Sequence, residues 1–373
     1  MKNKMIRLSY PKIDKKAYKA TRNVIKSGYL TQGKVTKDFE SAVAEYVGTK
    51  HGIATSSCTT ALHLSLVALN LKKDDEIIVP DFTFPATANA VIQSGATLRI
   101  VDVFQDTFNI NLEKLVQAIT PKTKAIIVVH VFGLCADMNG VIAIAKQHNL
   151  KIIEDAACAL GSEYFGLKAG NFGDLNCFSF HPRKVITTGE GGMIVTNDTE
   201  LNDHIRVLAS HGSIKNQEST FKNNFIEFGY NYRLSDLNSA VGLVELNRIE
   251  KIVNKRRKIA KRYKNNLNSS ELISFQSEPS GYKSNYQSLV VKLASQINRN
   301  EVIAKMAESG IQTTLGTYSL VSEPAFKNLE KEPIVISRNL RNSTLSLPIH
   351  ERLSDYHIDF VSEVLLNILK KNW

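Results

Sequence analysis

Between residues 50 and 197 the chain alternates short runs of β-branched residues with stretches of helical periodicity. The runs 76–79, 98–102, 125–130 and 151–155 read as strands, and 140–148 reads as one of the helices between them. Parallel strands need long crossover connections, so this alternation predicts an α/β domain with a mostly parallel central sheet. In such a sheet, ligands gather beyond the carboxyl ends of the strands.

The pattern changes after residue 235. Helical spacing covers 236–253 and continues into a basic stretch, a strand is predicted over 286–293, and a helix over 301–309 with Asn300 as its N-cap. We therefore predict a large domain over 1–249, including the N-terminal segment, and a smaller C-terminal α/β domain over 250–373.

The formal net charge of +11 suits an anionic partner, which includes nucleic acid. The basic residues are scattered except in one cluster, which consists of Lys255, Arg256, Arg257, Lys258, Lys261 and Arg262. On a helix such a cluster is typical of a solvated face. We predict no nucleic-acid partner, and a DNA-binding regulator is the non-enzymatic alternative.

The cysteines and the apolar runs indicate where the protein resides. Cys58, Cys135, Cys158 and Cys177 form no C-x-x-C pair and show no metal-ligand spacing, which favours a reducing compartment and no metal. Residues 1–16 lack an apolar signal core, and the run 125–135 is too short to span a bilayer. These features predict a cytoplasmic protein with no membrane partner.

Lys184 lies between a short apolar strand and a glycine-rich turn. The strand and its polar loop cover 177–184, and the turn follows at 187–192. A lysine in that position can be desolvated, which lowers its pKa and supplies a free amine for Schiff-base chemistry. The alternative is a solvated loop lysine.

Asp155 ends the strand 151–155 and is followed by the small residues Ala156 and Ala157. Pyridoxal phosphate (PLP) needs an anion beside its pyridine nitrogen to act as an electron sink, and small neighbours leave room for a flat ring. The alternative is an aspartate that caps the next helix.

Two further stretches can hold parts of such a cofactor. Hydroxyl residues at 56–60 precede an apolar helix over 61–71, and free N–H groups at a helix start form an anion site. Plain N-capping by Thr59 is the alternative. Phe82 or Phe84, after the strand 76–79, can stack on a planar ring, with core packing as the alternative.

Together these elements resemble the DegT/DnrJ-type nucleotide-sugar aminotransferases, which belong to the fold-type I PLP enzymes. The resemblance covers nearly the whole chain. It rests on the stretches 27–33, 39–40, 80–87, 130–138, 154–161, 178–192, 229–233 with Asp236, and 345–350. It implies a fold-type I large domain with a smaller C-terminal domain.

The resemblance also implies the residues that bind PLP. They are Lys184 as the Schiff-base lysine, Asp155 as the pyridinium partner, Ser179, Thr59 and the backbone of Thr60 at the phosphate, and Phe84 on the ring. Cys158 stands where the family usually has Gln or His in contact with the ring oxygen, and a thiol is a weaker partner. Asn231 would reach the phosphate in a neighbouring subunit, which implies a homodimer with shared sites. Tyr29 and Tyr318 would lie toward the sugar.

The implied reaction moves an amino group from L-glutamate to a nucleotide-linked keto-sugar, with pyridoxamine phosphate (PMP) formed during turnover. The expected substrate is a 4-keto-6-deoxy sugar aminated at C4, within amino-sugar and surface-polysaccharide (lipopolysaccharide, O-antigen) synthesis. C3 amination of a 3-keto sugar is the second choice. Sugar dehydratases of this fold carry histidine in place of the lysine, and a desulfurase would need a mobile cysteine, for which Cys135 is the loop candidate.

Overall fold

The computed structural model describes residues 5–215 and 223–372. Its α-helices are α1 (Lys15–Ser27), α2 (Lys34–Val47), α3 (Cys58–Ala68), α4 (Pro85–Gln93), α5 (Leu112–Ala118), α6 (Met138–His148), α7 (Thr199–Ala209), α8 (Asp236–Leu246), α9 (Ile249–Leu267), α10 (Arg299–Glu308), α11 (Ile336–Ser343) and α12 (Asp355–Asn372). None of the helices in these ranges is both long and apolar enough to cross a membrane.

The strands of the described residues are β1 (His51–Thr55), β2 (Glu76–Pro80), β3 (Phe82–Thr83), β4 (Thr97–Val101), β5 (Thr123–Val129), β6 (Lys151–Asp155), β7 (Glu163–Tyr164), β8 (Leu167–Lys168), β9 (Leu175–Ser179), β10 (Gly192–Thr196), β11 (Ser213–Lys215), β12 (Asn223–Phe225), β13 (Ile273–Phe275), β14 (Tyr282–Lys283), β15 (Leu289–Leu293), β16 (Thr314–Leu315), β17 (Tyr318–Ser319) and β18 (Thr344–Leu347).

The central sheet has the strand order β1-β10-β9-β6-β5-β2-β4. Strands β4, β2, β5, β6 and β9 pair in parallel, whereas β10 is antiparallel to both β9 and β1. The prediction of an α/β fold with a mostly parallel sheet is therefore confirmed. These strand directions also place the carboxyl ends of β1, β2, β6 and β9 at the same edge of the central sheet.

Both faces of this sheet are buried, as is usual when helices cover a parallel sheet. Strand β2 shows the alternation: Ile78 packs into one apolar cluster, while Ile77 and Val79 pack into the other. The first cluster includes residues of α2 and α6, and the second includes residues of α3, α4 and α7. The β-branched runs in the sequence thus form strands with no solvated face.

A separate apolar cluster lies in the C-terminal part, where α9, α10 and α12 pack with the antiparallel sheet β13-β15-β18-β16. The N-terminal segment joins this part: Ile6 forms a bridge with Ile311, and the N–H of Ile349 donates to the carbonyl of Leu8 at 3.2 Å.

Two local predictions in this part of the chain are wrong. The helical pattern over 236–253 is two helices, because α8 ends at Leu246 and α9 begins at Ile249. The N-cap of α10 is Asn298, not Asn300. The side chain of Asn298 accepts from the N–H groups of Asn300 and Glu301 at 3.1 and 3.4 Å, and its backbone is extended.

The basic cluster on α9 is largely used inside the protein. Arg256 is buried and donates to the carbonyls of Tyr286 and Gln287, each at 3.1 Å. Arg262 forms a bidentate pair with Asp359 at 2.7 and 2.6 Å. These guanidinium groups tie α9 to its neighbours, whereas Lys258 and Lys261 of the cluster are exposed.

Candidate active site

Lys184 lies in the loop that joins β9 to β10, at the carboxyl edge of the central sheet. Backbone hydrogen bonds fold the loop back on itself: Phe180 N–H donates to Gly191 O at 2.9 Å, and Lys184 N–H donates to His181 O at 2.8 Å. The Lys184 side chain is partly buried, and its Nζ donates to Sγ of Cys158 at 3.1 Å. The loop thus directs the lysine toward the residues that follow β6.

The protonation of Lys184 differs from our expectation. Burial by itself would lower the pKa of Lys184, but the sulfur of Cys158 and the charge of Asp155 raise it above its ordinary value. The prediction that desolvation would lower the pKa of Lys184 and leave a free amine is therefore wrong. The ammonium form is stabilised by the groups that surround it.

Asp155 is 6% exposed at the end of β6, and both of its oxygens are fixed. Oδ2 accepts from the hydroxyl of Thr87 on α4 at 2.7 Å, and Oδ1 accepts from the N–H of Ala157 at 3.2 Å. Thr87 is in turn 3.0 Å from the hydroxyl of Thr83. Within the described residues no α-helix begins between Asp155 and Thr199, so the helix-capping alternative is wrong. The structure provides a fixed anion at the sheet edge.

The start of α3 offers free N–H groups beside hydroxyls. Ser57 is the N-cap and forms a capping box with Thr60, so capping by Thr59 is wrong. The hydroxyl of Ser57 accepts from Thr60 N–H at 3.1 Å. In residues 5–215 and 223–372, the backbone N–H groups of Cys58 and Thr59 and the Thr59 hydroxyl have no acceptor. Such a helix start suits a phosphate.

The sheet register brings Ser179 to the same place. Ser179 pairs with Gly192, and Gly192 pairs with Thr55, two residues before Ser57. A Cβ atom at Gly192 would lie 2.4 Å from the carbonyl carbon of Ser57, so only glycine permits this approach. The Ser179 hydroxyl is partly exposed and accepts weakly from His181 N–H, at 3.4 Å.

Phe84 and Tyr318 form an aromatic wall beyond the end of β2. Phe84 is 63% exposed, whereas Phe82 is fully buried, so Phe84 is the ring of the two that a ligand can reach. Tyr318 lies edge-on to Phe84 with ring centroids 6.1 Å apart. Pairing of β17 with β3, which sets Tyr318 opposite Thr83, holds the two rings together.

Two buried carboxylates that the sequence analysis missed hold the segment around Tyr318. Asp81 accepts from the N–H of Val321 at 2.9 Å, and burial raises the pKa of Asp81 to about 6. Asp102 accepts from the N–H groups of Val335, Ile336 and Ser337 at 2.8–2.9 Å. The only available signal was the position of each aspartate directly after a buried strand.

Tyr29 and Asn231 lie apart from the lysine. Tyr29 is 79% exposed in the loop after α1, and Asp236 holds the far end of this loop by accepting from Gly33 N–H at 2.8 Å. Asn231 is exposed and adjoins the loop before α3, since Ser56 N–H donates to Tyr232 O at 2.8 Å. Among the described residues, neither side chain contacts Lys184 or Asp155, and the roles given to them stay predictions.

The remaining candidates for other chemistries are disfavoured. Cys135 is buried, and burial raises the pKa of its thiol, so it lacks the features of a mobile nucleophile. Within the part of the chain that the structure describes, no group of His, Cys, Asp or Glu residues could hold a metal ion.

The residues at this edge fit PLP. An amine, a fixed carboxylate, an exposed aromatic face and a helix start with unused N–H groups converge on the carboxyl ends of neighbouring strands. Each matches one part of the cofactor: its aldehyde carbon, its ring nitrogen, its ring face and its phosphate. Thr60 N–H is already used for capping, which leaves the N–H groups of Cys58 and Thr59 for the phosphate.

Comparisons with known proteins agree with this geometry. Residues 11–366 match the model of the DegT/DnrJ/EryC1/StrS aminotransferase family. A UDP-4-amino-4,6-dideoxy-N-acetyl-β-L-altrosamine transaminase of Campylobacter jejuni is 34% identical, with 98% of each chain covered. A UDP-N-acetyl-3-dehydro-α-D-glucosamine 3-aminotransferase of Acidithiobacillus ferrooxidans is 35% identical over 90% of this chain and 89% of that protein.

Among solved structures, the sugar aminotransferase Spr1654 of Streptococcus pneumoniae in its PMP form superposes with a TM-score of 0.94 at 28% identity. The match covers 98% of this chain and 99% of that chain. The PLP form of the same protein matches with a TM-score of 0.93.

Proposed function

This chain belongs to the DegT/DnrJ/EryC1/StrS family of PLP-dependent sugar aminotransferases, and on that premise we propose that it transfers an amino group from L-glutamate to C4 of a nucleotide-linked 4-keto-6-deoxy sugar. The observation on which the proposal rests is the position of Lys184 at the carboxyl edge of the sheet. There its Nζ contacts Cys158 and interacts with the charge of Asp155. The similarity to a relative named as the transaminase of a 4-amino-4,6-dideoxy sugar supports C4 as the position of the amino group.

When bound, PLP withdraws electrons from the carbon that loses or gains the amino group. Asp155 would hold the proton on the ring nitrogen, because its carboxylate is buried and fixed by Thr87. The N–H groups of Cys58 and Thr59 and the hydroxyls of Thr59 and Ser179 would hold the phosphate, and Phe84 would cover one ring face.

Lys184 has two tasks in this proposal. Its Nζ would hold the cofactor covalently between turnovers, and as a free amine the same atom would carry the proton to and from the reacting carbon. Cys158, in hydrogen-bond contact with Nζ, and the nearby charge of Asp155 stabilise the protonated amine, which is the form of Lys184 after it has taken the proton.

The lysine assignment is tested with PLP and borohydride. Reduction of the wild-type protein should fix one pyridoxyl phosphate group on Lys184, located by peptide mass, and Lys184→Ala should not be labelled. Lys168→Ala is a matched control, because Lys168 is partly buried but pairs with Glu250 at 3.2 Å away from the sheet edge. Label that persists in Lys184→Ala would show that the assignment is wrong.

The substrate is tested by a panel of UDP-, dTDP- and GDP-linked keto-sugars with glutamate as donor. We expect an amino-sugar only from 4-keto-6-deoxy compounds, with nitrogen at C4 by NMR. C3 amination is the second candidate, because a relative of similar identity is a 3-aminotransferase acting on a 3-dehydro sugar. Amination of 3-keto sugars alone would overturn the C4 proposal. The product class suits surface-polysaccharide synthesis, including lipopolysaccharide and O-antigen.

We also propose a homodimer in which Asn231 reaches the phosphate of the partner's site. Large apolar side chains near Asn231 are exposed in the single chain: Phe225 is 69% and Phe228 100% exposed. Exposed apolar groups of this size are typical of interfaces. Mixing Lys184→Ala with Asn231→Ala subunits tests whether the two subunits share their active sites. If each site combines Lys184 of one subunit with Asn231 of the other, a mixed dimer has one complete site and regains activity. If each site uses the residues of one subunit alone, the mixture stays inactive.

A division of the chain near residue 249 accompanies this proposal, with 1–249 forming the cofactor-binding domain and 250–373 the smaller domain. Its support is that one central-sheet cluster has buried residues only up to the start of α9, while later parts of α9 pack in the C-terminal cluster. The other central-sheet cluster also includes Leu320, Val321, Phe326 and Ile334, so this stretch of the smaller domain packs on the sheet. The dehydratase alternative is disfavoured because Lys184 stands where those relatives carry histidine. The regulator alternative is disfavoured because the guanidinium groups of Arg256 and Arg262 are engaged within the protein.

A further inference from the structure

Cys158 differs from the other three cysteines of the chain in its exposure and its neighbour. Cys58, Cys135 and Cys177 are buried, whereas Cys158 is partly exposed. Its sulfur lies 3.1 Å from Nζ of Lys184. Burial raises the pKa of the Cys58 thiol well above its ordinary value, so Cys58 is a poor competitor for oxidants. The site thus holds one accessible thiol in direct contact with one amine.

We propose that Cys158 and Lys184 form a reversible oxidative cross-link, in which a peroxide oxidises the thiol and the lysine amine then closes a sulfur–nitrogen bond. No other protein group is required. The cross-link itself depends only on this contact, and its effect on cofactor binding rests on the role proposed for Lys184.

The chemistry balances with one peroxide molecule. Hydrogen peroxide transfers an oxygen atom to the thiol, giving a sulfenic acid and one water. Lys184 reacts from the fraction of molecules in which its ammonium group has first lost a proton to solvent. The lone pair of that amine attacks the sulfur, the sulfur–oxygen bond breaks, and the hydroxyl leaves with an amine proton as a second water. Sulfur is oxidised by two electrons, peroxide is reduced, and the protein loses two hydrogen atoms.

Two molecules of an external thiol reverse the reaction. They break the sulfur–nitrogen bond, restore the Cys158 thiol and the Lys184 amine, and leave as a disulfide. A bound cofactor occupies the same amine, so cofactor loading and cross-linking exclude each other. The pair would therefore inactivate the enzyme under oxidising conditions without the irreversible oxidation that an isolated thiol undergoes.

The test uses the full-length protein, saturated with PLP or freed of cofactor by glutamate treatment and dialysis, and then exposed to hydrogen peroxide. In the cofactor-free sample we expect an intact mass lower by two hydrogens and a peptide that joins Cys158 to Lys184. Dithiothreitol should remove both signals. PLP-saturated protein should be protected.

Three variants separate this cross-link from other products. A disulfide between Cys58 and Cys158 would also remove two hydrogens, so the joined peptide must persist in Cys58→Ser and be lost in Cys158→Ser and Lys184→Arg. Circular dichroism checks that each variant is folded. Oxygen adducts without a joined peptide, or a joined peptide that contains Cys58, would overturn the proposal. A joined peptide that forms equally with PLP present would support the cross-link and count against the proposed role of Lys184.

Discussion

Replacing Asp102 tests whether one buried carboxylate anchors the segment that follows Tyr318. Asp102 is 5% exposed, and its oxygens accept from the N–H groups of Val335, Ile336 and Ser337 and from the Ser337 hydroxyl at 2.7 Å. It therefore caps α11 from a strand more than two hundred residues earlier in the chain. Asp102→Ala removes this cap without touching the cofactor residues.

The loss of stability expected for Asp102→Ala depends on which of the N–H and hydroxyl donors water can reach once the carboxylate is gone. Val335 is 55% exposed, so water replaces the carboxylate there, whereas Ser337 is fully buried. Loss of the cap costs about 1 kcal/mol, and the unpaired N–H and hydroxyl of Ser337 cost about 2 kcal/mol more. We expect guanidinium unfolding followed by circular dichroism to show a free energy of unfolding about 3 kcal/mol lower at neutral pH.

The difference should depend on pH in a defined direction. Burial alone would raise the pKa of Asp102, but hydrogen bonds from Ser337 and Ile336 hold it below its ordinary value. A lowered folded-state pKa stabilises the protein above the unfolded pKa of about 3.9, and that stabilisation is lost as the pH falls further. The difference in the free energy of unfolding between wild type and Asp102→Ala should therefore become smaller only at acid pH.

Asp106→Ala is the matched control, because Asp106 is exposed and, among the described residues, its carboxylate accepts a hydrogen bond from the N–H of Thr107 alone, at 2.7 Å. Its free energy of unfolding should stay within about 0.5 kcal/mol of wild type. An Asp102→Ala protein as stable as this control, or a gap that is constant down to strong acid, would refute the anchoring role.

Three further predictions concern the site. Asp155→Asn should lower kcat about 10- to 100-fold, since a charge-assisted hydrogen bond worth about 1.5–3 kcal/mol is lost at the ring nitrogen; an unchanged kcat would contradict the role of Asp155. Gly192→Ala should weaken PLP binding, measured by fluorescence titration, because its Cβ would lie 2.4 Å from the carbonyl carbon of Ser57 and displace the start of α3; wild-type affinity would contradict the close approach. Burial raises the pKa of Asp81 to about 6, above its unfolded value of about 3.9, so its carboxyl should contribute a loss of about 2 kcal/mol in the free energy of unfolding as the pH rises from 4 to 7, and Asp81→Asn should lack this contribution. Parallel pH profiles of the two proteins would show that Asp81 does not titrate in this way.

The parts of the molecule that the sequence predicts are those that depend on residues close together in the chain. Buried strands such as β2 and β5 are visible because a strand covered on both faces has few polar residues. Asp155 is visible because it is the last residue of β6, and Lys184 because it lies in the loop that follows β9. The carboxyl ends of parallel strands lie at one edge, so strand direction alone brings these residues near each other.

The parts that it does not predict depend on partners distant in the chain. Asp102 and Asp81 accept from backbone N–H groups, which every residue except proline carries and which leave no mark in a sequence. The pKa of Lys184 depends on the contact with Cys158, which follows another strand. Asn298 and Asn300 are equally good caps by residue type, and only the backbone conformation decides between them.

The pairing of β17 with β3 also bears on the order in which the site is made. Lys184 and Asp155 belong to a sheet whose last strand in the chain ends at Thr196, so its strands are synthesised before residues 321–337. Asp81 and Asp102 must remain hydrated until residues 321–337 emerge, and only then do they exchange water for backbone N–H groups. The strands that carry the cofactor residues are therefore synthesised before the wall that carries Tyr318, and residues of the later segment complete one apolar cluster of the sheet. Dehydration of two carboxylates is the step that closes the site.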